Sequence, residues 1–243
     1  MVTAAHVKAY RRDGFVHVPN LIERDEAFRF RELALAASER LAAMDAGPIF
    51  RQTVNVWTQD EGLKALTLHP RVTEAAKRLA GVPLRLWHDQ LLIKPAGNVS
   101  KPTEFHQDQP YWPHENSPNP ISCWMALGDV PVEAGCMSFL PGSQLRNDLP
   151  MQILSDERSL FSICPDLVWS PRVTVPLRAG DATFHHGRCA HMATPNRLDH
   201  PRVAHVAIYM DRDVRYTGAG HVVTDPLGLS PGDALDGDLF PAI

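Results

Sequence analysis

The sequence predicts a single α+β domain in which a helical layer packs on one face of a β-sandwich or jelly roll. Three observations point there. The first third of the chain carries helical periodicity, and from Pro83 onward the apolar period falls toward two. The prolines, 21 of 243 residues, crowd between Pro95 and Pro201, at a frequency of about 9% against an average near 5%. There they cut the chain into pieces that suit short strands and structured loops. Many short strands separated by turns read as a sandwich or jelly roll, and helices on one face make the class α+β. The expected layout is one domain over 1–243: a helical layer over 1–82, a β core over 83–215 and a packed tail over 216–243.

Taken in order, Thr3 caps a helix that runs to about Arg12 and stops at Asp13-Gly14. Phe15 to Val18 is a short strand ended by Pro19. Glu23 to Met44 reads as one long amphipathic helix. Its acidic start suits the helix dipole, and Ala27, Phe30, Leu33, Ala34, Ala37, Leu41 and Met44 form its packing stripe. Helices over Glu61–Leu68 and Pro70–Ala80 follow, with Gly81 as the stop. Leu84 to His88 alternates and Leu91 to Ile93 continues as an apolar strand. Further strands are expected at Thr103–His106, Ile121–Leu127, Cys136–Leu140, Arg172–Leu177, Asp181–His185, Cys189–His191 and Val203–Met210. Turn signals such as Pro95-Ala96-Gly97-Asn98, Glu133-Ala134-Gly135 and Ala179-Gly180-Asp181 separate them. Leu227, Leu229, Leu235, Leu239 and Phe240 mark the tail as packed.

Composition narrows the function. With 24 basic and 28 acidic residues the net charge is −4, so the chain has no broad footprint for nucleic acid. No apolar run approaches a membrane span, and no apolar signal core precedes the first charges, which sets the expectation of a cytoplasmic protein. Cys123, Cys136, Cys164 and Cys189 show neither a CxxC pair nor zinc-finger spacing. They are expected as free, buried thiols.

Chemistry concentrates among the 12 histidines. His6, His17, His69, His114 and His221 lack a partner at ligand-like spacing. His106-Gln107-Asp108 differs. Alternate residues of an extended segment point the same way, so an imidazole and a carboxylate can converge. That supplies two ligands of a 2-His-1-carboxylate site of the kind that holds non-haem Fe(II). A third ligand is expected far along the chain, and the segment from Gly180 to His191 offers His185, His186 and His191. Arg202 then opens an apolar strand. A buried arginine is costly unless it meets an anion, and its rigid fork suits a carboxylate.

These residues resemble the phytanoyl-CoA dioxygenase family of Fe(II)/2-oxoglutarate oxygenases. The resemblance rests on His106-Gln107-Asp108 followed by Tyr111-Trp112-Pro113, on Cys123-Trp124, and on Gly135-Cys136-Met137 leading to Leu140-Pro141-Gly142-Ser143. It continues through Gly180-Asp181 to His191, with Arg202 eleven residues later, and includes Gly14-Phe15-Val16 and the closing Gly237 to Pro241. It implies a double-stranded β-helix core, an iron triad of His106, Asp108 and His191, and a 2-oxoglutarate carboxylate held by Arg202. Gln107, Trp124 and Lys94 match positions that line the cosubstrate in some members. Two departures stand out: Gln144 follows Ser143 where a histidine is common, and Ala193 replaces a common serine, leaving Thr194 to supply a hydroxyl.

The resemblance further implies oxidative decarboxylation of 2-oxoglutarate by O2, giving succinate and CO2, coupled to oxidation of a small organic molecule. Asp108 occupies the position that is a small residue in halogenating relatives, which favours hydroxylation or a related oxidation. His186 is expected to line the site or support it, and His185 to be structural; counted from Arg202, His205 faces away. Gln109, Tyr111, Trp112 and His114 are placed to touch substrate. Phe50 to Trp57 is expected as a lid carrying Arg51, Asn55 and Trp57. Only five of the 24 basic residues are lysines, and no basic cluster awaits the phosphates of an acyl-CoA. Two other classes compete: a cupin-type hydrolase or isomerase, which usually shows HxH with a following Glu, and a non-catalytic small-molecule-binding barrel, which should have lost a ligand.

Overall fold

A computed structural model of the chain describes all residues except 42, 43, 46–48, 98 and 148, with backbone alone at 44 and 45. Thr3 caps α1 (Ala4–Asp13) by accepting a hydrogen bond from the His6 backbone, while His6 Nδ1 accepts from the Thr3 backbone. Gly14, at φ 80°, ends the helix and releases the chain into β1 (Phe15–Val18). Helix α2 (Arg24–Arg40) stops short of the predicted Met44. Met44 lies instead in the two-residue strand β2 (Met44–Asp45), and residues 42 and 43 of the expected helix lie outside the described residues. The stripe is narrower than expected: Ala27, Ala34 and Ala37 are buried, whereas Leu33 is 40% exposed.

The segment expected as a lid contains a sheet strand, β3 (Arg51–Val54). Helix α3 (Glu61–Thr67) is capped by the Asp60 side chain, and α4 (Pro70–Ala80) ends on Gly81 at φ 71°. The apolar stretches at 84–88 and 91–93 join as one strand, β4 (Leu84–Lys94). Then come β5 (Thr103–His106), β6 (His114–Glu115), β7 (Ile121–Ala126), β8 (Met137–Phe139), the unforeseen α5 (Ser159–Ile163), β9 (Val173–Val175), β10 (Ala182–His186), β11 (His191–Ala193), β12 (Arg202–Asp211) and β13 (Arg215–Tyr216). Strand β11 begins at His191, where the sequence suggested Cys189–His191.

The strands form a larger sheet in the order β1-β10-β7-β12-β4-β3-β2 and a smaller one, β5-β11-β8-β9, with β13-β6 as a separate pair. The fold is a jelly roll with helices on one face of the larger sheet, as the sequence predicts. Strand β12 shows why the pattern was readable. Val203, Ala207 and Tyr209 join the cluster packed against the helices, while Ala204, Val206, Ile208 and Met210 join the cluster that reaches Met137, Phe139 and Val175 of the smaller sheet. Strand β4 departs from simple alternation. Ile208 pairs with His88 but Tyr209 with Leu86, so Trp87 is bulged. Before the bulge Leu84 and Leu86 face the helices; after it Leu91 and Ile93 do. The bulge thereby turns His88, Gln90 and Leu92 inward, as an added residue must with a side-chain period of two.

The tail packs through Leu235 and Phe240, the latter stacked on Trp87 at 5.5 Å. Leu227, expected to pack, is 40% exposed. All four cysteines are buried, as expected, and Cys123, Cys136 and Cys189 are free thiols. No described helix is long and apolar enough to cross a membrane.

A buried polar knot ties the helices to the larger sheet. Asp89 Oδ2 lies 2.7 Å from the Thr67 hydroxyl and 3.2 Å from His205 Nε2, and accepts from the Trp57 backbone N–H at 3.1 Å. Each partner is at most 7% exposed, so removing the carboxylate strands several buried donors. Asp89→Ala is expected to cost about 3 kcal/mol, lowering the thermal midpoint by about 6–12 °C, as read by circular dichroism melting.

Candidate active site

His106 is the last residue of β5 and pairs in register with His191, the first residue of β11. The short strands thus bring two imidazoles to a ring separation of 4.4 Å. Their tautomers follow from their neighbours. His106 Nδ1 lies 2.8 Å from the Glu104 carbonyl and His191 Nδ1 lies 3.0 Å from the Cys189 carbonyl. A carbonyl only accepts, so each Nδ1 carries the proton and each Nε2 offers a lone pair. Those Nε2 atoms sit 3.3 and 3.6 Å from Asp108 Oδ1. The ligand atoms of His106, Asp108 and His191 all lie within 4.8 Å of one another. Two neutral imidazole nitrogens and a carboxylate, all acceptors turned toward one point, fit a cation and match the donor set of a non-haem Fe(II) centre.

Electrostatics agree with that assignment. Burial opposes ionisation of Asp108, but the surrounding imidazoles of His191, His106 and His185 outweigh it and hold the carboxyl well below its usual range. Burial pushes His191 down to about 3, which keeps its ring neutral and available as a ligand.

The second half of the site is Arg202, the first residue of β12. It is 4% exposed, its guanidinium lies 5.1 Å over the Trp124 ring, and burial lowers its pKa to about 10. Its Nε and Nη1 are buried with no partner among the described residues. A stranded buried cation is costly, and an incoming carboxylate would supply the charged acceptor it lacks. Arg202 and the triad share one cavity of about 410 Å³ between the two sheets, with Leu92, Trp124, Met137 and Val206 among its walls.

The remaining predicted residues divide. Trp124, Tyr111 and Trp112 line the cavity, and the Tyr111 hydroxyl donates to the Gln152 carbonyl. Gln107 does not line it. Lying between His106 and Asp108, its side chain turns to the other side and donates to the Ser143, Arg146 and Arg188 carbonyls. Lys94 is buried beside Arg202 but donates to the Lys101 and Ala193 carbonyls. Thr194 lies past the end of β11, and its carbonyl closes on Gly135, where a Cβ would come within 2.2 Å. Gln109 donates to the Ser117 carbonyl, and His114 is buried against Trp87 and Trp112. None of these five is a cavity wall.

Arg51, Asn55 and Trp57 are also absent from the cavity; Phe50, Gln52 and Val54 stand there instead. The segment borders the cavity as a strand and not as a lid, and of its alternating residues the even-numbered ones are the walls. His186 bonds the Pro118 carbonyl and the Arg188 backbone, away from the cavity. His185, expected to be structural, lines it, with Nε2 3.3 Å from Asp108 Oδ2. His88, Gln90 and His221 are further walls missed in the sequence. The alternation of β4 could have found Gln90 and His88, had the bulge at Trp87 been legible.

Lys94 gives a pH signature. Burial, then the charge of Arg202, lowers its pKa from 10.5 to about 7. The folded state therefore binds fewer protons than the unfolded state between about pH 7 and 10, and stability rises with pH across that window. Relative to Lys94→Met, the wild-type protein should gain up to about 1.4 kcal/mol per pH unit there, measurable by urea unfolding at pH 7, 8 and 9.

Comparison with known proteins agrees with this geometry. The sequence profile of the phytanoyl-CoA dioxygenase (PhyH) family matches residues 10–204. The non-heme alpha ketoglutarate dependent carbocyclase SnoK from nogalamycin biosynthesis is 38% identical, with a TM-score of 0.90 over 100% of this chain and 96% of that one. The epimerase SnoN, solved in complex with Fe3+, alpha ketoglutarate and nogalamycin RO, is 36% identical, with a TM-score of 0.83 over 98% and 97% of the two chains. The peroxisomal phytanoyl-CoA dioxygenase of Mus musculus is 25% identical over 220 residues, which are 81% of this chain and 65% of that protein, so the chain spans a little under two thirds of its length. The chain belongs to the phytanoyl-CoA dioxygenase family of iron- and 2-oxoglutarate-dependent oxygenases.

Proposed function

We propose that the protein is a dioxygenase that hydroxylates or otherwise oxidises a small organic molecule while 2-oxoglutarate is converted to succinate and CO2, and that residues 1–243 act as one oxygenase domain. The observation that carries the reading is the pairing, in one cavity, of a three-acceptor ligand cluster with a buried arginine whose Nε and Nη1 have no described partner. His106 Nε2, Asp108 Oδ1 and His191 Nε2 would hold Fe(II), which when bound supplies O2 activation at positions left open by three protein ligands. Arg202 would orient 2-oxoglutarate by gripping its far carboxylate, with the Trp124 face keeping the guanidinium in place. The apolar walls Leu92, Met137, Val206 and Ile208 exclude water from the reacting end.

The substrate would enter past Phe50, Gln52, Tyr111, Trp112 and Val222. Arg202 is the sole lysine or arginine among the described cavity walls, and the reading gives it to the cosubstrate. A CoA thioester carries several phosphates that call for cations. A compact free metabolite suits these walls better, in keeping with the small-molecule chemistry named for SnoK and SnoN.

The deciding experiment adds Fe(II) and 2-oxoglutarate to metal-free protein without oxygen and looks for the visible charge-transfer band of the chelated cosubstrate. The band should form in the wild type, vanish in Asp108→Ala, and in Arg202→Ala need at least about 100-fold more 2-oxoglutarate, as expected for losing a charged, doubly hydrogen-bonded contact. Iron binding with no band in folded wild-type protein would favour a cupin-type enzyme or a binding barrel.

A further inference from the structure

Three imidazoles surround Asp108, and they are not equivalent. His106 and His191 use Nδ1 on backbone carbonyls and turn Nε2 toward Asp108 Oδ1. His185 approaches the other oxygen: its Nε2 is 3.3 Å from Oδ2, and its Nδ1 is buried with no partner among the described residues. The Ser122 hydroxyl donates to the same Oδ2 at 3.4 Å. These two residues are a directly opposed pair on the neighbouring strands β10 and β7, so one rung of the larger sheet delivers both donors. His185 is 2% exposed and Ser122 fully buried, and the His185 ring rests 5.6 Å from Phe139 and 4.5 Å from His191.

The proton positions follow. An ionised carboxylate only accepts, so His185 Nε2 carries the proton. Its sole hydrogen bond among the described residues is the one to Asp108. An imidazole kept in the interior for a single contact, with its other nitrogen stranded, costs free energy. Packing alone would be served as well by an apolar ring of similar size.

Resting on the metal reading above, we infer that His185 and Ser122 are positioning residues that tie down Oδ2, so that Asp108 offers Oδ1 alone to the metal. The carboxylate can then neither rotate nor present both oxygens to the ion. A single-oxygen ligand leaves the coordination positions that a chelating 2-oxo acid and O2 require. His185 stands outside the three-ligand cluster, and its Nε2, protonated toward Oδ2, offers no lone pair on that side. Hydrogen bonding to ligating carboxylates and histidines tunes metal sites, and its loss typically costs 10–100-fold in affinity.

The test uses the full-length, metal-free protein and Co(II), with the dissociation constant measured by competition against a chromophoric chelator. His185→Phe keeps the ring volume and removes the donor; it should weaken Co(II) binding about 10–100-fold. His185→Gln returns an N–H and should restore most of the affinity, and Ser122→Ala should weaken binding by a few-fold. With Fe(II) and 2-oxoglutarate, the charge-transfer band of His185→Phe should move to longer wavelength, because an untethered carboxylate donates more charge to the metal. Wild-type affinity in a folded His185→Phe protein, or equal losses in the Phe and Gln variants, would overturn the proposal while leaving the metal reading intact. If His185→Phe does not fold, unchanged affinity in Ser122→Ala would overturn it. A wild-type protein that binds no Co(II) would overturn both.

Discussion

The buried guanidinium of Arg202 is the constraint around which the rest is arranged. It enters the interior as the first residue of β12, the strand that pairs with both β4 and β7 at the middle of the larger sheet. It is 4% exposed, and none of the described residues answers its Nε or Nη1. Leaving such a charge unpaired costs several kcal/mol, so the fold must hold it by other means. Trp124 stacks beneath it, and the helices anchor its strand through Val203, Ala207 and Tyr209. Lys94, directly across the ladder, is discharged in part by its burial and then by the same field. The sheet therefore carries a stored demand for an anion, a few residues' width from a cluster of acceptors that demands a cation.

Those opposite demands sit on different sheets. The larger sheet supplies Arg202, Trp124 and the donors at Ser122 and His185; the smaller sheet supplies His106 and His191. Asp108 lies between them, with Oδ1 toward the imidazoles of the smaller sheet and Oδ2 toward the larger. Facing sheets stand about 10 Å apart, which leaves room for one small ligand bridging a cation and the arginine.

The fold class was legible because burial follows period in the long elements. Strand β12 shows one face to the helices and the other to the smaller sheet, and Thr3, Gly14 and Gly81 mark helix ends through their caps. His106, Asp108, His191 and Arg202 were legible because two of them sit two residues apart in an extended segment and the others match a family spacing. What escaped did so for local reasons. Gln107 was assigned to the cavity, although the alternation that unites His106 and Asp108 sends it the other way. The places expected for His185 and His186 are reversed: as neighbours on β10 they face opposite sides, and His185 is the one that turns into the cavity. The end of α2 was overrun because Leu41 to Met44 keep an apolar character that a helix and a strand both accept.

The cavity walls contributed by β3 and β4 were the least legible, and the reason is geometric. A strand read by its sequence alone has two possible faces, and a single bulge exchanges them. At Trp87 the exchange places His88 and Gln90 inside and sends Asp89 outward to Thr67 and His205. One extra residue thus creates two things at once: a polar rail in the cavity, where Gln52 donates to Gln90 and Gln90 to His88, and the buried knot that fixes helix α3. Without the bulge the same residues would put a carboxylate in the cavity beside His106, Asp108 and His191 and an imidazole against the helices. The chemistry of this cavity wall is therefore set by the register of β4 as much as by its composition.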